Sequence, residues 1–211
     1  QWNSVRMLLA FEFGVQYNLN ICLFDMESFY LNGELDPASR MILMRQIPGY
    51  EDIGKEKWLC RLLLGVYGLP HAGNIAQHKL YTTCTDGPDD FEQLTADDCV
   101  YRLRGKKLGD EGYAAFGSHV DDLFAVGDDA GMAKTEAVPS KQFKVKKYVD
   151  PEVVKGVQLM RDRSKGCAKL HQAGYIEQVL ENCVMTNCTH QDIQLDPGAT
   201  KGGMPQPGAK T

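Results

Sequence analysis

Two adjacent carboxylates, in His119-Val120-Asp121-Asp122, interrupt one of the most apolar stretches of the sequence. Tyr113-Ala114-Ala115-Phe116-Gly117-Ser118 precedes them, and Leu123-Phe124-Ala125-Val126-Gly127 follows. The pattern predicts two buried strands whose tight connection carries the acidic pair. Ionised carboxylates beside a core are costly unless a cation or a hydrogen-bond network compensates them. Two unit charges about 4 Å apart repel by about 4 kcal/mol at an effective dielectric of 20. A divalent ion would remove that repulsion, so the pair reads as a metal site. A plain acidic hairpin turn is the alternative, since Asp is common in turns.

A third carboxylate, Asp25, ends the continuous apolar run Ile21-Cys22-Leu23-Phe24, which predicts a buried strand. One carboxylate from a strand end and two from a neighbouring hairpin could hold two magnesium or manganese ions. Paired ions about 3.5–4 Å apart activate an attacking oxygen and stabilise a leaving phosphate oxygen. The strand end itself could instead carry Asp25 merely as a polar terminus.

The elements that must position these residues are mixed. Ser4 can cap a helix over residues 4–18, striped by Met7, Leu8, Phe11 and Val15. Asn32-Gly33 marks a turn. Residues 41–45 and 58–63 read as strands flanking a loop at Pro48-Gly49, and Gly68-Leu69-Pro70 breaks the chain before a helix over 74–84. A polar, Asp-rich segment over 86–98 precedes a strand at 99–103. A helix over 129–142 follows the acidic hairpin. Residues 153–160 and 167–170 form a second hairpin, and a helix covers 173–183. From Asp196 the Gly/Pro/Lys-rich sequence predicts a disordered linker over 196–211. This order is α+β, with antiparallel pairs and packing helices.

With 211 residues, 43% hydrophobic and 24% charged, the chain is long enough for a substantial core. No apolar run approaches the roughly 20 residues that span a bilayer, so no membrane partner is expected. The opening Gln1-Trp2-Asn3-Ser4 carries no signal peptide and reads as the start of a piece of a longer chain. Seven cysteines at irregular spacings point to a reduced, intracellular setting. Cys167, His171, Cys183 and Cys188 are the alternative of a zinc site, though no CxxC pair exists. A net charge of −5 argues against a strongly basic nucleic-acid binder. Local clusters at Arg102, Arg104, Lys106 and Lys107, and at Lys141, Lys144, Lys146 and Lys147, read as solvated faces.

Five segments in order resemble the reverse transcriptase domain of copia-type LTR retrotransposons. Asp25-Met26-Glu27-Ser28-Phe29-Tyr30-Leu31-Asn32-Gly33-Glu34-Leu35 resembles that family's DVKTAFLNGEL-like segment. Gln46-Ile47-Pro48-Gly49-Tyr50 is similar to its QPxGF-like loop. Cys60-Arg61-Leu62 and Val66-Tyr67-Gly68-Leu69-Pro70-His71-Ala72 resemble its CxLxxxLYGLKQAPR stretch. His119-Val120-Asp121-Asp122 resembles its YVDD box, and Gly156 with Leu170-His171-Gln172-Ala173-Gly174-Tyr175-Ile176 resembles its LG and LSQxxYI landmarks.

The resemblance implies a right-hand polymerase palm, an antiparallel sheet packed on helices, over residues 1–195. The helix from Ala173 would begin a thumb, and the N-terminal fingers would lie upstream. Asp25, Asp121 and Asp122 would bind two Mg2+ (or Mn2+) ions. The primer 3′ hydroxyl would attack the α-phosphate of a deoxynucleoside triphosphate and pyrophosphate would leave. Tyr30 matches the aromatic that excludes a ribose 2′-hydroxyl, with Phe29 beside it in the nucleotide pocket. Gln46, Gly68 and Leu69 would line the template and nucleotide side. The implied partners are an RNA/DNA template-primer, the triphosphates and the rest of a Gag-Pol polyprotein. The implied place is the cytoplasm, a virus-like particle or the nucleus.

The sequence departs from that pattern at functional places. Glu27 stands for a Lys, Phe29 for a small Ala, His119 for the Tyr of YVDD, and Gly73-Asn74 for Pro-Arg. Val154-Lys155 precedes Gly156 where an aromatic is usual. A second reading follows, a non-catalytic descendant that keeps the fold or weak nucleic-acid binding. A magnesium-dependent phosphoesterase of unrelated fold is a third, although it gives no reason for Tyr67-Gly68-Leu69.

Overall fold

The computed structural model describes residues 17–35, 41–87, 90–154 and 156–188. The helix expected over 4–18 and the linker expected over 196–211 lie outside the described residues, apart from Tyr17 and Asn18. The chain divides into two compact units, Gln1–His171 and Gln172–Thr211.

The first unit is built on β1 (Asn20–Met26) and the acidic hairpin, β6 (Ala114–His119) and β7 (Asp122–Gly127). Before the hairpin come β2 (Leu43–Arg45), β3 (Leu59–Arg61), helix α1 (Ala72–Thr85), β4 (Phe91–Leu94) and β5 (Asp97–Leu103). After it come helix α2 (Asp129–Ala137), β8 (Val145–Val149), β9 (Val153–Val154), β10 (Val157–Asp162) and β11 (Cys167–His171). One antiparallel sheet of six strands runs in the order β4-β5-β6-β7-β1-β8. Three strands in the order β11-β10-β9 form a second sheet, and β2 pairs with β3 in a third. This is an α+β architecture, as expected.

Because β1 is covered on both faces, its apolar run is continuous rather than alternating. Cys22, Phe24 and Met26 face one core with Ala76, Leu80 and Cys84 of α1 and with Phe116, Leu123 and Met132. Ile21 faces the other with Phe124, Val126, Val154 and Leu159, and Leu23 packs against that cluster. The buried residues Ala72, Ala76, Leu80 and Cys84 recur every four positions, which gives α1 its single apolar stripe. Asp128 caps α2, its carboxylate accepting from the N–H of Gly131 at 2.8 Å and also from the N–H of Gly112.

Three expectations are corrected. The helix expected to reach residue 142 stops at Ala137, because Pro139 has no N–H to extend the ladder and the chain tightens into a 3-10 turn, Pro139–Lys141. The polar segment over 86–98 contains β4, an edge strand anchored by the fully buried Phe91. The lysine-rich residues expected as a solvated face are largely exposed, as expected, and include β8, the opposite edge of the sheet. The strand expected over 153–160 is split into β9 and β10, with Gly156 at φ 79° between them.

All seven cysteines are free. Cys167 and His171 sit at the two ends of β11, about 13 Å apart at strand rise, so they cannot share a zinc ion. Cys60, Cys167, Cys183 and Cys188 are exposed, whereas Cys22 and Cys84 are buried. Burial pushes the Cys84 thiol up to about 12. Alkylation of the folded chain at pH 8, read by mass spectrometry, is therefore expected to modify the four exposed thiols quickly. Cys22 and Cys84 react only on addition of denaturant.

In the second unit, helix α3 (Ala173–Asn182) agrees with the expected 173–183. No helix among the described residues is long and apolar enough to cross a membrane.

Candidate active site

The ladder brings the three carboxylates to one end of the sheet. Asp25 pairs directly across from Asp122 in the β1·β7 register, a placement that puts Cβ atoms about 4.5–5.5 Å apart. The N–H of Met26 donates to the carbonyl of Asp121 at 2.8 Å, fixing the hairpin tip against the end of β1. Alternation puts Asp25 on the face of Ile21 and Leu23, and Asp122 on the face of Phe124 and Val126, which is the same face of the sheet. Asp25, Asp121 and Asp122 are all half-buried. Among the described residues, no three His, Cys, Asp or Glu side chains are gathered in a group that could hold a metal as they stand.

The turn itself is unusual. Val120 has φ 56°, in the left-handed region that β-branched residues rarely enter. Such strain persists only where surrounding structure fixes it. Here the fixing groups are the flanking strand pairs, among them His119 with Asp122, and a hydrogen bond from Gln77 Nε2 of α1 to Ser118 Oγ at 3.1 Å.

Electrostatics mark the same place. Partial burial and the charges of Asp122 and Asp121 push the Asp25 carboxyl above its ordinary range, while Lys146 pulls it back. Lys146 lies across from Asp25 on the other side of β1. Glu27 bridges Lys144 at 2.7 Å and Lys146 at 2.8 Å. Hydrogen bonds from these two lysines hold the Glu27 carboxyl down at about 2. Sequence reasoning grouped these lysines as a charged surface. The signal it missed was their spacing, since residues two apart on a strand share a face.

Tyr30 sits in the 3-10 turn Phe29–Asn32, five residues beyond Asp25. Its ring packs edge-on to Tyr67 at 5.3 Å and to Phe29 at 5.9 Å. The turn is held by Asn32 Nδ2, which donates to the Ser28 carbonyl at 3.0 Å. Gly73 lies against the Tyr30 ring, where an added Cβ would come within 3.5 Å of Cε1. Phe29 is placed differently from expectation. It is 2% exposed and stacked on Phe143, so its side chain belongs to the core rather than to an open pocket.

Gln46 is likewise engaged internally. Its Nε2 donates to the carbonyl of Lys55 at 2.6 Å and its Oε1 accepts from the N–H of Asp52 at 2.8 Å, closing the loop between β2 and β3. Gly68 adopts φ 88° in the exposed turn that leads through half-buried Leu69 into α1. Gln46→Ala removes these bonds, each worth about 1 kcal/mol. Faster tryptic cleavage after Lys55 and Lys57, with an unchanged melting temperature for the sheet, is the expected result.

The model of the family "Reverse transcriptase (RNA-dependent DNA polymerase)" matches residues 1–196, and the chain belongs to that family. A curated relative, the Retrovirus-related Pol polyprotein from transposon TNT 1-94 of Nicotiana tabacum, is 29% identical over 185 residues. That alignment covers 87% of this chain and 13% of the relative, so the chain spans a small part of the relative's length. No solved structure matches.

Proposed function

We propose that this chain is the palm of an RNA-directed DNA polymerase within a retrotransposon Pol polyprotein, its α3 beginning the thumb-like element. The observation that carries the reading is the pairing of Asp25 with Asp122 across the ladder, with Asp121 beside them at the hairpin tip. Family membership and the polyprotein relative support it.

The donor set suits hard divalent cations such as Mg2+ or Mn2+, being carboxylate oxygens alone. The raised proton affinity of Asp25 marks a deficit of positive charge that a cation relieves. Asp25, Asp121 and Asp122 would rotate toward one another to hold two such ions. Bound there, the ions would lower the charge cost of nucleotidyl transfer at the attacking and leaving oxygens. The protein's own part is alignment. The sheet end would hold the primer 3′ hydroxyl and the α-phosphate in line, so that a new O–P bond forms as the hydroxyl gives its proton to water and the bond to the departing pyrophosphate breaks. Tyr30, braced by Tyr67, would meet the 2′ position of the incoming sugar and so favour deoxynucleotides. The Gly68-Leu69 turn would flank the template side, while Gln46 acts by holding its loop.

Primer extension tests the reading. A DNA primer on an RNA template, with deoxynucleoside triphosphates and Mg2+ or Mn2+, is expected to be elongated by the full-length polyprotein. Loss of extension on Asp121→Asn, together with retained folding, supports it. Extension that survives the change overturns it. A folded protein with no extension under any condition selects the non-catalytic descendant instead.

A further inference from the structure

Glu27 leaves the end of β1 with its N–H donating to the Lys144 carbonyl at 2.9 Å, so the β1·β8 ladder runs on past the strand. Its carboxylate then receives one ammonium on each oxygen, Lys144 on Oε2 at 2.7 Å and Lys146 on Oε1 at 2.8 Å. Lys146 is also the cross-strand partner of Asp25. Two cations thus converge on one point of the carboxylate face, and the group at that point is an anion supplied by the chain itself.

Exposure gives the arrangement a direction. The side chain of Glu27 is 27% exposed, against 78% for Lys144 and 56% for Lys146. The ammonium groups can therefore be approached from solvent while the carboxylate lies beneath them. Solvent-exposed Lys–carboxylate pairs are weak, and a polyphosphate brings several charges and many acceptor oxygens to the same two donors.

We propose that Lys144 and Lys146 form a polyphosphate subsite beside the carboxylates, occupied in the free chain by Glu27, which the incoming phosphates displace. Glu27 is then an internal competitor that sets the affinity of the site. The identification of the ligand as a nucleotide's triphosphate rests on the function proposed above; the subsite itself does not. When a site is competent for only a fraction of the time, its apparent affinity falls by that fraction. A latch closed about nine-tenths of the time lowers affinity about tenfold.

The test is calorimetric titration of inorganic triphosphate into the 211-residue chain, with no divalent cation, primer or template present. Glu27→Gln keeps the size of the side chain and removes the competing charge. It is expected to bind about tenfold more tightly than the wild type. The double variant Lys144→Ala with Lys146→Ala is expected to lose binding, and circular dichroism checks that it folds. Unchanged or weaker binding by Glu27→Gln overturns the latch, because a purely structural Glu27 predicts that outcome. Wild-type binding by the double lysine variant overturns the subsite. Neither result touches the carboxylate assignment, which is read by primer extension and Asp121→Asn alone.

Discussion

On the function proposed above, Asp122→Asn, and equally Asp25→Asn, is expected to lower RNA-templated primer extension by the full-length polyprotein about 10³-fold or more. Asn matches Asp in size and leaves the β1·β7 register intact, so the loss reports charge and not shape. The same changes are expected to raise the melting temperature. Asp25 carries a proton affinity raised by burial and by its two acidic neighbours, so the folded state bears a cost that either amide removes. Gain of stability with loss of activity is the signature of a site kept strained for function. The check is a paired measurement of extension rate and thermal unfolding on both variants. If activity persists, the carboxylates take no part in the reaction. If activity and stability fall together, they serve the fold.

The second large effect lies away from the chemistry. Gly131, in the first turn of α2, packs against the backbone of Tyr113, and an added Cβ would overlap the Tyr113 carbonyl and come 2.9 Å from Ala114 Cβ. The obstacle is main chain, which cannot swing aside. Gly131→Ala is expected to cost about 3 kcal/mol, lowering the melting temperature by about 6–12 °C for a domain of this size. Gly117→Ala is the control, since nothing lies within 4 Å of its added Cβ. It is expected to be neutral within about 0.5 kcal/mol. Equal effects of the two substitutions would show that the approach of α2 to β6 is looser than described.

The parts of this molecule most legible in the sequence are those buried on both sides. Ile21 to Phe24 and the two arms of the acidic hairpin are uninterrupted apolar runs, because core covers both faces of β1 and β7. Their pairing follows from the same fact, and it brings Asp25 to Asp122. The edges were not legible. β4 and β8 are half-solvated strands with Glu92, Gln93, Lys146 and Lys147 among their residues, and such strands lack the alternation that announces them. Phe29 illustrates a different failure. The resemblance to the family's motif suggested a pocket there, yet only the fold of the 3-10 turn decides which aromatic points inward to Phe143 and which meets Tyr67. Gln46 likewise has the chemistry of a ligand contact, and tertiary context spends it on Lys55 and Asp52.

Both margins of the large sheet are ill suited to recruiting another strand. On one side stands a four-residue strand, and on the other a strand carrying Lys146 and Lys147. Short or lysine-studded rims blunt the open hydrogen-bonding groups that would otherwise template edge-to-edge growth. Growth into larger aggregates is thereby discouraged, and Lys146 and Lys147, paired with Glu27 and Glu136, line the rim nearest the carboxylates.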